Sequence, residues 1–263
     1  GKASGDDSEV LLNPVRVYKN PFVNNNNTEN YLVLCETLNK DKTPHSTNTR
    51  RHASHIFSKY ENTKPWYGIE QEFFLYKDGR PLGFPESGYP GPQRDYYCGV
   101  GASNAFGRDC VEKALDNFLY AGLNITGLNA EVAPGQWEFQ VCCKGIEAAD
   151  QLIMLRYILN RTAEEFGYDV VYHPKPVSGD WNGSGCHTNY STKNMRQGFN
   201  SKTGLEFIND AIDKLSLKHK EHMDVYGSGN NERMTGEHET ASFDTFSHGI
   251  ANRGASVRIG NDN

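Results

Sequence analysis

Hydrophobic residues recur with helical spacing in three segments of the chain. In residues 111–119 they fall at i, i+3, i+4, i+7 and i+8, and Gly122 follows where a C-terminal cap belongs. Residues 152–166 repeat the pattern and end at Gly167, and residues 205–215 show it a third time. These segments predict three amphipathic helices, each with one face toward a core.

Extended segments are predicted where short apolar runs are bounded by turn residues. The longest is WYGIEQEFFLY, residues 66–76, which the turn Lys77-Asp78-Gly79 closes. The asparagine run at 24–27 and the Gly/Pro-rich residues 80–101 predict loops. Further predictions are a helix over residues 50–60 and strands over residues 9–17, 31–35, 136–141, 169–172 and 187–191. Strands interspersed with helices indicate an α/β or α+β fold.

Composition narrows the class of protein. The 263 residues can bury a sizeable core, and 13 Phe, 14 Tyr and 3 Trp indicate a folded chain. The formal charge of -6 and the scattered basic residues argue against a nucleic-acid partner. No apolar run reaches the roughly 20 residues of a bilayer span, and the polar start does not resemble a signal peptide. We therefore expect no membrane association and a cytoplasmic location, unless an organelle leader precedes residue 1.

The six cysteines suit neither a disulfide framework nor a zinc ribbon. No pair has C-x-x-C spacing. The adjacent Cys142 and Cys143 would point to opposite faces of a strand. We expect free, buried thiols.

Two glutamates lie on one face of the predicted strand 66–76. Glu70 and Glu72 would be about 7 Å apart on an extended backbone. Because apolar neighbours indicate that the strand is at least half buried, either one carboxylate is protonated or a cation lies between them. Taken alone, the pair also fits two surface glutamates on an edge strand.

A second carboxylate pair favours the cation. Glu131 and Glu138 flank a Pro134-Gly135 turn, and His187 stands in the Gly-rich run WNGSGCHTN. Carboxylates with one imidazole suit Mg²⁺ or Mn²⁺ rather than structural zinc. We expect a two-metal site, although His187 taken alone would more often be a packed or surface histidine.

Three arginines stand in Gly-rich surroundings near the end of the chain. Arg233, Arg253 and Arg258 could clamp carboxylate or phosphate oxygens, or could form ordinary surface salt bridges. Neither G-x-x-x-x-G-K-[ST] nor G-x-G-x-x-G occurs, so a bound nucleotide would depend on metal, arginine and aromatic stacking.

Six long motifs together resemble class II, eukaryotic-type glutamine synthetase. They are PWYGIEQEFFL, GYPGPQRDYYCGVG, GRDCVEKALDNFLYAGLNITGLNAEVAPGQWEFQV, KPVSGDWNGSGCHTNYSTKNMR, ERMTGEHET and ANRGASVRI. The resemblance implies an α+β catalytic domain over residues 24–263, in which a curved antiparallel sheet with flanking helices forms a funnel-shaped active site. Residues 1–23 would be the remnant of a small β-grasp domain. We expect a fragment that lacks most of that domain and the C-terminal end.

The same resemblance implies the reaction and its residues. Glutamate and ammonium would be joined with ATP through γ-glutamyl phosphate, with two or three Mg²⁺ or Mn²⁺ ions per site. The implied metal ligands are Glu70, Glu72, Glu131, Glu138 and His187. The implied catalytic residues are Arg233, Arg253 and the flap residue Glu239. Arg233, Asn182, Gly183 and Tyr96 would bind glutamate and ammonium, and Trp66, Asn189, Ser191 and Arg258 would bind the nucleotide.

Assembly and two alternatives complete the expectations. The resemblance implies a homo-oligomer, a decamer of stacked pentamers, with active sites between subunits. One alternative is a γ-glutamyl ligase for another amine, and the other is a catalytically silent structural relative. The metal ligands and arginines named above argue against the silent relative, because such a copy is free to lose them.

Overall fold

The computed structural model describes residues 5–6, 8–23 and 28–261. The predicted loop at residues 24–27 lies outside them. The strands are β1 Leu11–Lys19, β2 Tyr31–Leu38, β3 Trp66–Lys77, β4 Arg80–Pro81, β5 Ile125–Ala130, β6 Gln136–Lys144, β7 Asp169–Val171, β8 Cys186–Ser191, β9 His248–Ile250 and β10 Val257–Ile259. The helices are α1 Thr49–Lys59, α2 Arg108–Ala121, α3 Glu147–Phe166, α4 Lys193–Gln197, α5 Gly204–Ser216, α6 His219–Val225 and α7 Asn230–Arg233, with a 3₁₀ turn at Glu61–Thr63.

Strand β3 organises the main sheet, which has six strands in the part of the chain described. One edge of β3 pairs antiparallel with β6, and β5 follows outside β6. The other edge pairs with β8 and then with β7, while the short β4 forms a hairpin with the end of β3. The antiparallel sheet with flanking helices confirms the α+β prediction; the sheet is open rather than closed into a barrel.

Helices α2 and α3 cover one face of this sheet. Phe73 of β3 and Trp137 and Phe139 of β6 are buried against both helices, as period-2 alternation requires. Gly122 and Gly167 cap the two helices in the left-handed conformation, which confirms the predicted ends. The opposite face of β3 and β6 is thereby left to the polar residues of those strands.

Several elements differ from the sequence predictions. Strand β1 begins and ends two residues later than predicted, because its side chains are mostly exposed and give no clear alternation. Lys77, predicted as a turn residue, belongs to β3, and Asp78 and Gly79 make the turn with positive φ. The short elements β4, β5, β9, β10, α4, α6 and α7 carried too little periodicity to be predicted. All six cysteines are free, as predicted, but only Cys110 and Cys143 are buried, and Cys98 and Cys186 are exposed.

Ion pairs with two buried carboxylates attach the β1–β2 hairpin to helices α1 and α3. Asp150 of α3 is 2% exposed and accepts hydrogen bonds from Arg16 at 3.1 Å and from Arg50 at 2.7 and 2.8 Å. Arg50 also donates to the buried Glu36 at 2.6 Å. Arg50 of α1 therefore connects β2 to α3, and Arg16 connects β1 to α3. No helix among the described residues is long and apolar enough to cross a bilayer.

We predict that Asp150→Ala lowers the free energy of unfolding by about 1–3 kcal/mol, because it removes the buried acceptor that Arg16 and Arg50 share. Glu164→Ala is the control: Glu164 pairs with Arg161 at 3.2 Å on the surface, and its loss should cost less than about 1 kcal/mol. Urea unfolding followed by circular dichroism measures both variants. Equal losses in the two would contradict a structural role for the buried network.

Candidate functional site

Strand register brings the predicted carboxylates together. On β3, Glu72 lies opposite Glu138 of β6, and Glu70 lies opposite His187 of β8. Since β6 and β8 take opposite edges of β3, side chains from three strands converge on the face that α2 and α3 leave open. Glu131, just after β5, completes the group.

Two sets of ligand atoms are close enough to hold a metal ion. One consists of Glu70, Glu138 and His187, and the other of Glu72, Glu131 and Glu138; within each set the ligand atoms lie within 4.8 Å of one another. The Nδ1 atom of His187 is 3.5 Å from a Glu70 oxygen and 3.6 Å from a Glu72 oxygen. Glu138 belongs to both sets, so the geometry could accommodate two neighbouring cations.

Hydrogen bonds from the surrounding strands orient these carboxylates. Glu72 accepts from the Gly185 amide at 2.8 Å and from the Gln136 side chain at 3.2 Å. Glu70 accepts from the Asn189 amide group at 2.7 Å. Such outer partners hold metal ligands in place.

The electrostatics of the cluster favour a bound cation. Burial, followed by the charge of Glu72, raises the pKa of Glu138 to about 8 and that of Glu131 to about 7. The hydrogen bond with Glu70 raises the pKa of His187, and the same bond lowers the pKa of Glu70. A divalent ion would neutralise the crowded carboxylates, and hard oxygen ligands with one imidazole suit that role.

Arg233 lies between this cluster and a cavity of about 660 Å³. A Cβ on Gly183 would come within 3.0 Å of the Arg233 stem, and one on Gly185 within 2.9 Å of its Nη2. At position 183 a Cβ would also lie 2.0 Å from the Pro174 carbonyl oxygen, so glycine is required there, and the absence of a side chain at both positions leaves room for the arginine. Arg233 Nε is buried and has no hydrogen-bond partner among the described residues, so it can donate to an anionic ligand.

Asn182 and Gly183 line the same cavity as Arg233. The Asn182 amide donates to Gln93 at 2.9 Å, and the Gly183 carbonyl accepts from Gln136 at 3.1 Å. The loop that carries these two residues is thus tied to the strand that supplies Glu138. Gln136 also donates to Glu72 at 3.2 Å, so the cavity wall adjoins the carboxylate cluster.

Arg253 and Glu239 lie on exposed loops, and the third arginine, Arg258, lies on the short strand β10. Arg253 Nη1 is 3.3 Å from a Glu239 oxygen. Arg258 is exposed, and its charge contributes to the lowered pKa of Glu70, after the larger effects of His187 and Asn189. Arg258 therefore lies near Glu70, while Arg253, Glu131 and Glu138 all lie near Tyr97.

Trp66 and Ser191 lie opposite each other on β3 and β8, at one end of the site. The Arg196 guanidinium lies 3.9 Å from the centre of the half-exposed Trp66 ring and donates to the Ser191 hydroxyl at 2.8 Å. Arg196 was not predicted from the sequence. Its position in KNMR, directly after the strand, was the only available signal.

The surroundings of Tyr96 do not favour its predicted contact with ammonium, and that role stays a prediction. Tyr96 is 8% exposed, its ring packs on Phe106, and its hydroxyl donates to the Gly91 carbonyl at 3.3 Å. Its neighbour Tyr97 is half exposed. Burial raises the pKa of Tyr97, and the charges of nearby groups, Glu131 and Glu138 among them, add to that shift while Arg253 opposes it. Adjacent tyrosines point in different directions, which the sequence YYC does not resolve.

Comparison with known proteins agrees with this geometry. The family model "Glutamine synthetase, catalytic domain" matches residues 46–262. This chain belongs to the glutamine synthetase family. It is 51% identical over 260 residues to a glutamine synthetase of Agaricus bisporus, an alignment that covers 98% of this chain and 72% of the relative. It is 54% identical over 267 residues to glutamine synthetase cytosolic isozyme 1-3 of Arabidopsis thaliana, covering 100% and 73%.

The rice cytosolic isozyme 1-1 gives a similar result within the glutamine synthetase family. Its identity is 53% over 267 residues, or 73% of its length. Fungal and plant relatives thus match nearly all of this chain. The division into a β-grasp remnant at residues 1–23 and a catalytic domain at 24–263 stays a prediction.

We predict that Glu138→Gln weakens Mn²⁺ binding at both positions of the cluster, whereas Glu131→Gln weakens it at one. The reason is that Glu138 belongs to both ligand sets and Glu131 to one. Each loss should exceed the roughly 10- to 100-fold cost of removing an outer hydrogen-bond partner. Isothermal titration calorimetry measures affinity and stoichiometry, with Glu112→Gln on α2 as the control. Wild-type binding in Glu138→Gln would contradict the shared-ligand geometry.

Proposed function

We propose that the protein is an ATP-dependent glutamate–ammonia ligase that forms glutamine through γ-glutamyl phosphate. The observation that carries this function is a juxtaposition: two carboxylate sets lie on one sheet face, and Arg233, which has an unpaired donor, lines the adjoining cavity. Phosphoryl transfer between two anions depends on charge neutralisation and positioning, and this site supplies both.

The metal ligands proposed are Glu70, Glu138 and His187 for one ion and Glu72, Glu131 and Glu138 for another. The donors are hard oxygens with one imidazole, which fits Mg²⁺ or Mn²⁺, and we propose two or three ions per site. When bound, these ions neutralise the phosphate oxygens and the carboxylate that reacts.

Arg233 has the free donor needed to bind glutamate. We propose that its Nε, together with Asn182 and Gly183 on the cavity wall, holds the amino acid with its side chain toward the cluster. The γ-carboxylate then attacks the γ-phosphorus of ATP, which forms γ-glutamyl phosphate and releases ADP. Arg253 and Arg258 neutralise the transferring and nucleotide phosphates.

The nucleotide is proposed to bind at the other end of β3. Trp66 offers an exposed ring, and Asn189 and Ser191 lie on the adjacent strand β8. Arg196, stacked on Trp66, would add a positive charge there. This arrangement replaces a phosphate-binding loop, which the sequence lacks.

The second half-reaction needs ammonia and protection from water. We propose that ammonium binds near Tyr97 and the carboxylates, and that Glu239 accepts its proton. Ammonia then attacks the acyl carbon, phosphate leaves, and glutamine forms. Because an acyl phosphate hydrolyses readily, the loop that carries Glu239 must cover the site during this step.

We further propose a homo-oligomer with active sites between subunits, a decamer of stacked pentamers, located in the cytoplasm. Two of the relatives reported above are named as cytosolic isozymes. Size-exclusion chromatography with light scattering measures the assembly of the intact protein. A fully active monomer would contradict this part of the proposal.

The test of function is phosphate release from ATP by the intact protein. We expect release only when glutamate is present together with ammonium or hydroxylamine, because the acyl phosphate waits for a nucleophile. Hydroxylamine should give γ-glutamyl hydroxamate, and methionine sulfoximine should inhibit after its own phosphorylation. Metal and ATP binding without hydroxamate formation would exclude the ammonia ligase and favour another amine acceptor or a silent relative.

Arg253→Ala gives the matched variant for that assay. Loss of one donor aimed at developing charge costs about 10²–10³ in kcat. ATP affinity should change much less, since the nucleotide retains its other contacts. Arg161→Ala, at an exposed position on α3, is the control.

We predict that Tyr97→Phe raises the KM for ammonium, because it removes a hydroxyl near the carboxylates of the site. Tyr96→Phe should leave that KM unchanged, because the Tyr96 hydroxyl bonds to Gly91 instead. Initial rates at varied ammonium and saturating glutamate and ATP measure both. A larger effect from Tyr96→Phe would contradict this assignment.

A further inference from the structure

The loop that carries Glu239 is fixed at its base. Thr235 and Ser242 form an isolated antiparallel β-bridge. The Phe243 backbone amide donates to the Met234 carbonyl at 2.9 Å. The buried Thr240 donates its hydroxyl to the Glu237 carbonyl at 2.6 Å. The two ends of residues 234–243 are therefore held together, and only the tip projects.

The tip consists of two residues in an unfavourable backbone conformation. His238 has φ 52° and Glu239 has φ 60°, both in the left-handed region that non-glycine residues seldom adopt. Two consecutive residues of this kind persist only where contacts hold them. The Glu239 carboxylate has such a contact in Arg253, but both side chains are mostly exposed.

The tip makes a second contact through His238, and this contact is shorter than the one between Glu239 and Arg253. Its Nε2 lies 2.6 Å from Oδ1 of Asp180, which makes Nε2 the donor. Both residues line the cavity next to Arg233. This hydrogen bond therefore connects the tip of the Glu239 loop to the loop that carries Asn182 and Gly183.

Asp180 is suited to act as an anchor because its own backbone is held in place. Gln93 donates to the Asp180 carbonyl at 3.2 Å and accepts from the Asn182 amide. Lys175 donates to the next carbonyl, that of Trp181, and the Trp181 ring stacks on Tyr89. The carboxylate stands on a braced loop, although it is itself 90% exposed.

We propose that Asp180 is a positioning residue for Glu239. By holding His238, it keeps the tip in its left-handed conformation and places the Glu239 carboxylate beside Arg253, on the open side of the carboxylate cluster. In this proposal Asp180 acts through His238, and no direct contact with substrate or metal is assigned to it. The inference rests on the proposed role of Glu239 as proton acceptor.

The first experiment does not depend on activity. Hydrogen–deuterium exchange of the intact protein should be faster in the peptide covering residues 234–243 for Asp180→Ala and for His238→Ala. Asp180→Asn should exchange like wild type, because the amide oxygen can still accept from Nε2. Asp224→Ala, an exposed carboxylate on α6, is the control. Unchanged exchange in Asp180→Ala would overturn the inference, even if wild type proves to be an active ligase.

The second experiment tests the consequence for the reaction. We expect Asp180→Ala to lower kcat/KM for ammonium by up to about 100-fold through displacement of Glu239, with the melting temperature unchanged. Asp180→Asn should restore most of it, and the double variant Asp180→Ala/His238→Ala should lose no more than either single variant. The inference would be overturned if the losses of kcat/KM in the two single variants multiplied in the double variant, or if Asp180→Asn did not recover activity. An inactive wild type would instead refute the proposed function. The exchange experiment would still show whether the His238–Asp180 hydrogen bond holds the tip in place.

Discussion

Mutual repulsion between carboxylates is the constraint on which this structure depends. The register of β3 with β6 sets Glu72 opposite Glu138, and a slip by one residue would turn Phe73 or Trp137 out of the core. The hydrophobic face therefore determines where the charges go. The energy of packing under α2 and α3 holds together four acidic groups that would separate in water.

The surrounding residues are arranged around that concentration of charge. Gly183 and Gly185 lack side chains, so that Arg233 can lie against the loop and bring a positive group to the edge of the cluster. Amide donors point at the carboxylates from neighbouring strands. Because these donors and the arginine are fixed before any ligand arrives, little reorganisation is needed when phosphate charge develops.

The sequence predicts the scaffold of the site better than its edges. Alternation along β3 was enough to place Glu70 and Glu72 on one face, because a strand has a fixed period of two. The convergence of Glu131 and His187 on that face depends on non-local pairing and needed the family motifs. Tyr96 and Tyr97 show the limit: in an irregular loop there is no period, and backbone torsions decide which ring is buried.

Contacts between loops were likewise beyond prediction from the sequence. Nothing in SGDWNG or GEHET indicates that Asp180 and His238 meet, since 58 residues separate them and neither loop has a regular geometry. Arg196 was missed for the same reason, because its contact with Trp66 depends on how α4 turns after β8. Polar pairs of this kind are established by the tertiary structure alone.

The arginine and carboxylate network under the hairpin has a consequence for local fluctuations. Arg16, Arg50, Glu36 and Asp150 belong to β1, α1, β2 and α3, so these elements cannot open one at a time without stranding a buried charge. They should behave as a single cooperative unit in native-state fluctuations. Amides in the hairpin will then exchange in concert with those at the start of α3, and the hairpin's motion is tied to the layer that supports the carboxylate sheet.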